Sequence, residues 1–287
     1  SYATNSMNQY ILAGNESFAY DNNGNMISRT GNGTTTYEYN YDNRLTKVTS
    51  PEGTWVYTYD ALRNRIAVTH NGIITKYAVD PMGMGDIAAE YYANGTVKSK
   101  YIHGLGLVSM TRGSDTYYYT FNPVGHTSEI TSNTGSLVNR YQYTPFGGYR
   151  NAIEGVSNPF TYVGEYGVMD DRNGLYYMRI RYYSANLGRF TSEDLIVIPD
   201  LNRYRYCLNN PIDSNDPYGL YDSGGGLLGN GGNFFFDIGV GKLTTKIDIA
   251  VKMHRARSQM RGFLNSANRR NSNLGKLALA NDIITLG

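Results

Sequence analysis

The chain has 287 residues and a formal net charge of +2, with 17% charged and 40% hydrophobic residues. Glycine contributes 33 residues and tyrosine 28, whereas strong helix formers are sparse before the last segment. Tyrosine suits a half-exposed sheet surface and glycine suits tight turns, so the composition predicts a mainly β protein and argues against an α/β nucleotide-binding architecture. The single cysteine, Cys207, excludes an internal disulfide. No apolar run is long enough for a membrane-spanning helix.

The N-terminal segment, residues 1–5, has neither the basic start nor the apolar stretch of a secretion signal peptide. We therefore expect either export by another route or a chain that is the C-terminal piece of a longer protein.

Residues 1–150 contain repeated Tyr-Asp pairs that follow alternating sequences and are separated by Asn-Gly turn signals. The pairs are Tyr20-Asp21, Tyr41-Asp42 and Tyr59-Asp60. Alternation is the periodicity of a β-strand and Asn-Gly favours a tight hairpin turn. The pattern predicts consecutive antiparallel hairpins from residue 16 to about residue 150, with Tyr37, Tyr39 and Tyr41 on one face. An aspartate at a strand end caps the following turn, so we assign these pairs no catalytic role.

Residues 151–220 carry four ordered motifs, which are Gly174–Tyr183, Gly188–Asp194, Asn209–Ile212 and Asp216–Leu220. The Tyr-Asp segments resemble the YD repeat of the Rhs family of bacterial polymorphic toxins, shared with shell components of insecticidal toxin complexes and with teneurins. The four motifs resemble the Rhs-associated core domain. This resemblance implies a mainly β fold, in which a coiled antiparallel β-hairpin ribbon forms part of a shell and the core domain plugs one end.

The resemblance also implies an intramolecular aspartyl protease with Asp194 and Asp216 as its catalytic pair. Two carboxylates held close together share a proton, so that one activates water while the other polarises a carbonyl. The implied cleavage falls between Leu220 and Tyr221. The implied supporting residues are Arg179, Arg181 and Arg189.

The first aspartate departs from the family pattern, because Asp194 is followed by Leu-Ile-Val-Ile and not by Pro-x-Gly-Leu. A structural alternative is therefore kept open. In it, Asp194 caps a turn, residues 216–219 form a β-turn with proline at the second position, and Arg179 and Arg181 form buried salt bridges.

Residues 221–287 differ in character, because a glycine-rich stretch is followed by a basic segment with helical spacing from Lys242 to about Arg270. The region holds nine basic residues against four aspartates. A basic amphipathic helix favours nucleic acid, an anionic membrane or a carboxylate-lined shell interior as its partner, and the alternative is a solvated helical face. By the resemblance this tail is a variable effector.

Two functions of different kinds follow from these patterns. The first is the C-terminal part of a bacterial Rhs-type toxin-delivery protein, secreted or at the cell surface, whose shell encloses its own tail as cargo and releases it by self-cleavage. A secretion spike or adaptor and an immunity protein are its further implied partners. The second is a non-enzymatic YD-repeat surface or adhesion protein. No cofactor or metal is expected, since His70, His103, His126 and His254 are scattered.

Overall fold

The computed structural model describes residues 1–80, 85–195 and 202–220. The chain divides into one unit from Ser1 to Gly229 and another from Asn230 to Gly287, and all described residues belong to the first. The predicted glycine-rich linker and basic tail helix lie outside the described residues. Within the described ranges no helix has the length and hydrophobicity needed to cross a membrane.

Sixteen strands form one antiparallel sheet, the repeat sheet, in which every strand pairs with its neighbours in sequence. The prediction of consecutive hairpins is confirmed. The strands are β1 Tyr2–Thr4, β2 Tyr10–Ala13, β3 Glu16–Tyr20, β4 Met26–Gly31, β5 Gly33–Tyr39, β6 Leu45–Ser50, β7 Gly53–Tyr59, β8 Arg65–His70, β9 Ile73–Val79, β10 Ile87–Tyr92, β11 Val97–His103, β12 Leu107–Arg112, β13 Asp115–Phe121, β14 Thr127–Ser132, β15 Leu137–Tyr143 and β16 Tyr149–Glu154.

A second, four-stranded antiparallel sheet follows, and we call residues 155–220 the core domain. Its strands are β17 Met169–Asp170, β18 Leu175–Met178, β19 Arg181–Ser184 and β20 Arg189–Phe190. Two short 3₁₀ turns, Gly164–Tyr166 and Cys207–Asn209, complete the described elements.

Side-chain oxygens cap the turns that connect the strands at one end of the repeat sheet. Asp21 Oδ1 accepts the backbone N–H groups of the second and fourth residues that follow it, at 2.9 and 2.8 Å. Asn5, Asn40, Asp60 and Asn122 accept from the same two positions. A short polar side chain offers the backbone this local bond, and the repeated aspartate or asparagine therefore defines the turn. We call this row of turns the capped end of the sheet.

The position of Tyr41 corrects the predicted phase of the second repeat. Strand β5 ends at Tyr39 and the cap of the next turn is Asn40, so Tyr41 lies within the turn and is fully exposed. Tyr37 and Tyr39 do share one face of the sheet, the inner face, which packs against the core domain. The prediction for Tyr41 was wrong because asparagine caps a turn as well as aspartate does, and the Tyr-Asp spelling alone does not locate the cap.

The core domain packs against the inner face of the repeat sheet. Tyr57 lies 5.2 Å from Tyr182 and Tyr101 lies 4.9 Å from Phe160, measured between ring centroids. Burying one such side chain contributes about 1.5–3 kcal/mol. A shared aromatic core therefore joins the repeats to the domain that carries the candidate site.

Candidate active site

The β18–β19 hairpin positions the arginines of the first core motif. Leu175–Met178 and Arg181–Ser184 are buried throughout, because their alternating aromatic residues pack into a hydrophobic cluster on each face. Between them lies a two-residue turn of Arg179 and Ile180, in which Arg179 has φ 58°. This tight turn brings Arg179 and Arg181 to one end of the hairpin.

Arg181 brings the two predicted catalytic carboxylates together. Its Nη2 lies 2.7 Å from Asp194 Oδ2 and 3.6 Å from Asp216 Oδ2. The two carboxylate oxygens are therefore no further apart than the sum of these distances. Burial lowers the pKa of Arg181, while the charges of Asp194 and Asp216 oppose that shift. The guanidinium also lies 3.6 Å from the ring centroid of Phe190, which fixes its plane.

The two carboxylates differ in their access to solvent. The Asp194 side chain is 18% exposed and lines a polar cavity of about 230 Å³ together with Asn25, Arg63 and Arg203. The Asp216 side chain is only 3% exposed. A water molecule can thus reach Asp194 from the cavity, whereas Asp216 faces the protein.

Asp216 is bound to the predicted cleavage segment. Its Oδ1 accepts the backbone N–H of Leu220 at 3.0 Å, and Leu220 is itself buried. Gly219 has φ +66°, and a Cβ at this position would lie 3.1 Å from Arg181 Cβ. Arg181 Nε donates to the Gly219 carbonyl at 2.5 Å. The turn is thus held against Arg181 in a conformation that favours glycine.

The other two predicted arginines lie at different contacts. Arg179 donates to the Pro217 carbonyl at 3.0 Å and therefore supports the same turn. Arg189 lies elsewhere, since its guanidinium donates to the Asn8 carbonyl at 2.7 Å and stacks 3.5 Å from the Tyr10 ring centroid. The expectation that Arg189 supports the carboxylates is thus corrected. In this structure Arg189 joins the core domain to the first turn of the repeat sheet.

Two further residues of this region were not found from the sequence. Arg44 Nη1 donates to the Arg179 carbonyl at 2.7 Å, and Asp86 Oδ1 lies 2.6 Å from Arg179 Nη2. Both come from the repeat sheet and are buried. The available signal was weak, because a charged residue beside a turn is usually solvated.

Comparison with known proteins places this arrangement in a family. Residues 2–222 match the family model described as Teneurin YD-shell. The tRNA3(Ser)-specific nuclease WapA of Bacillus spizizenii is 34% identical over 235 residues, which cover 75% of this chain and 10% of that protein. The toxin subunit YenC1 of Yersinia entomophaga is 33% identical over 122 residues, covering 40% of this chain and 12% of that subunit.

A solved structure shares the fold. The crystal structure of TcdB2-TccC3-Cdc42 superposes with a TM-score of 0.52 and 18% identity, over 71% of this chain and 13% of that one. The chain spans about a tenth of the length of the curated relatives it matches. The family match covers the repeat sheet, the core domain and the carboxylate pair, and the chain therefore belongs to the teneurin YD-shell family.

Proposed function

We propose that the chain is the C-terminal part of a toxin-delivery shell whose core domain cuts its own backbone after Leu220. Membership of the YD-shell family and similarity to proteins named as a nuclease and as a toxin subunit support the delivery role. In this proposal the protein is bacterial and is secreted or displayed at the cell surface.

The observation that carries the proposal is the joint position of Asp194, Asp216 and Leu220. One buried guanidinium, that of Arg181, contacts both carboxylates, and Asp216 also holds the N–H of the residue at the cut. Two carboxylates this close repel each other when both are ionised, and one guanidinium compensates only one negative charge, so one ionised and one protonated carboxyl group are favoured, which is the pairing that acid-base hydrolysis requires.

The two aspartates have separate tasks in this reaction. Asp194, at 2.7 Å from Arg181 and open to the cavity, is the base that takes a proton from water. The water oxygen forms a bond to the carbonyl carbon of Leu220, while Asp216 donates its proton to the carbonyl oxygen. Collapse of this intermediate breaks the C–N bond. The proton held by Asp194 passes to the nitrogen of Tyr221, and the carbonyl proton returns to Asp216, so both carboxyl groups regain their starting states.

The released segment, residues 221–287, is the cargo in this proposal. Its nine basic and four acidic residues favour an anionic target, either nucleic acid or a membrane. An immunity protein, and an adaptor or spike of a secretion device, are the further partners proposed.

Denaturing electrophoresis of the purified chain tests the proposal. Cleavage after Leu220 gives bands of about 24.5 and about 7.5 kDa, the shares of 32.0 kDa that belong to 220 and 67 residues. Asp194→Asn and Asp216→Asn are expected to leave a single intact band, because an amide does not exchange the required proton. Asp213→Asn is the matched control, since Asp213 is exposed and lies three residues before Asp216.

The competing function is a structural YD-repeat protein without self-cleavage. It is favoured by one observation, namely that the Asp216 bond to the Leu220 N–H is also the bond of an ordinary turn cap. An intact band for the unmodified chain, with the sheet folded, would support this function and remove the protease.

A further inference from the structure

We infer that Arg44 and Asp86 of the repeat sheet position the cleavage turn, so that self-cleavage requires the repeat sheet to be folded around the core domain. The inference rests on the proposed function. It concerns two side chains that lie far from the core domain in sequence and contact it directly.

Asp86 acts on the cleavage turn through Arg179. The Asp86 carboxylate lies 2.6 Å from Arg179 Nη2, and Arg179 Nη1 donates to the Pro217 carbonyl at 3.0 Å. The Arg179 guanidinium also lies 4.7 Å from the ring centroid of Tyr218. An ion pair with the sheet therefore holds the guanidinium where it binds the residue next to Asp216.

Arg44 acts on the backbone of the same hairpin turn. Its Nη1 donates to the carbonyl of Arg179 at 2.7 Å and to that of Ile180 at 3.3 Å, across 135 residues of sequence. Ile180 in turn donates its N–H to the Tyr218 carbonyl at 3.3 Å. The turn that leads into Arg181 is thus fixed on one side by the sheet and on the other by the cleavage segment.

The surroundings leave little room for the ion pair to move. Asp86 and Arg179 are buried, and a Cβ on Gly167 would lie 2.7 Å from Arg179 Nη2 and 3.1 Å from Asp86 Oδ1. Gly167 has φ +78°, a conformation that disfavours other residues. The site therefore encloses the pair closely.

Loss of either contact is expected to displace the reacting groups without removing them. Without Asp86, the buried Arg179 loses the Asp86 carboxylate, one of the contacts that orient its guanidinium toward Pro217. Without Arg44, two backbone carbonyls beside Arg181 lose a charged donor. A displacement of about 1 Å between reacting groups slows a reaction about 100-fold. Arg44 and Asp86 are therefore positioning residues.

The test measures cleavage of the full 287-residue chain by pulse-labelled synthesis in vitro. Cleavage rates of Asp86→Asn and Arg44→Gln are compared with that of Glu38→Gln as the matched control, because Glu38 forms an exposed ion pair with Lys47 within the repeat sheet and neither residue lines the cavity beside Asp194. The folded fraction of each variant is measured by pulse proteolysis in the Asp194→Asn background, and each rate is expressed per folded molecule. Arg44→Lys, which keeps a charged donor, tests for partial rescue.

We expect Asp86→Asn and Arg44→Gln to cleave about 10- to 100-fold more slowly per folded molecule, Arg44→Lys to be intermediate, and Glu38→Gln to be unchanged. Unchanged rates per folded molecule in the first two variants would overturn the inference, and so would a loss explained entirely by a smaller folded fraction. The proposed function is judged separately, because it fails if Asp194→Asn itself is cleaved at the normal rate.

Discussion

Replacing Arg65 by methionine is expected to destabilise the chain strongly, and replacing Asp171 by leucine in the same molecule is expected to reverse that loss. Arg65 follows the Asp60 cap at the position where Met26 and Leu45 follow the caps of earlier repeats, and all three side chains are buried. The same inner-face position is therefore apolar in two repeats, as Met26 and Leu45, and carries a buried positive charge, Arg65, in a third.

The surroundings of Arg65 set the size of the effect. Its Nη1 lies 2.6 Å from Asp171 Oδ2, and the two side chains are 0% and 5% exposed. The guanidinium lies 4.0 Å from the ring centroid of Tyr177. Burial disfavours the charged guanidinium, but Asp171 together with Tyr182 and Tyr77 outweighs this and raises the pKa of Arg65 well above its usual range. Arg65 therefore stays charged.

Removing one partner of such a pair leaves the other charge buried and uncompensated, which costs about 3–5 kcal/mol. Arg65→Met and Asp171→Leu are each expected to lose this much. The double variant replaces the pair with apolar groups of similar size, and its free energy of unfolding is expected to equal the normal value or to exceed it by up to about 4 kcal/mol.

Urea unfolding of the four proteins, all carrying Asp194→Asn to keep the chain intact, gives the complete double-mutant cycle. A loss below about 1 kcal/mol in both single variants, the size expected for an exposed pair, would refute the reasoning. Losses that simply add in the double variant would also refute it.

Three further predictions concern single positions. Gly219→Ala is expected to cost about 1–2 kcal/mol in urea unfolding and to slow cleavage, because the residue has φ +66° and its Cβ would press on Arg181; normal cleavage would contradict this. Burial lowers the pKa of His126 to about 4. As the pH falls from about 6.5 to about 4, the unfolded chain therefore takes up a proton that the folded chain does not, and about 3 kcal/mol of stability is lost. Urea unfolding at pH 7 and pH 4.5 is expected to show a smaller loss for His126→Asn, and equal losses would contradict the assignment. Asn40→Ala removes the acceptor of two turn N–H groups and is expected to cost about 1 kcal/mol, whereas Tyr41→Ala, at a fully exposed position, stays within about 0.5 kcal/mol; the reverse order would restore the predicted Tyr41-Asp42 cap.

Much of the fold followed from local features of the sequence. Alternation and Asn-Gly turns are local signals, and in an antiparallel meander each strand pairs with its sequence neighbour, so local signals determine the topology. The phase of the repeat did not follow from the Tyr-Asp pairs, because the cap depends on a short polar oxygen that asparagine supplies as readily as aspartate. For that reason Asn40, and not Asp42, begins the turn between β5 and β6.

The candidate site depended on contacts over long sequence distances. Motif resemblance pointed to Asp194, Asp216 and Arg181. In the structure the Arg181 guanidinium lies beside both carboxylates. No local pattern indicates that Asp86 meets Arg179 across 93 residues, or that Arg189 lies against the first turn of the sheet. Such pairings depend on how the repeat sheet packs on the core domain, and periodicity does not specify that.

Hydrolysis after Leu220 is most directly tested by synthesising the chain in water enriched in heavy oxygen and measuring both fragments by mass spectrometry. The proposed reaction predicts a small fragment that begins at Tyr221 and a large fragment that ends at Leu220 with one heavy oxygen in its new carboxylate. Both fragments are expected to be absent from Asp194→Asn. A different new terminus, a large fragment without heavy oxygen, or the same fragments from Asp194→Asn would contradict self-cleavage by Asp194 and Asp216.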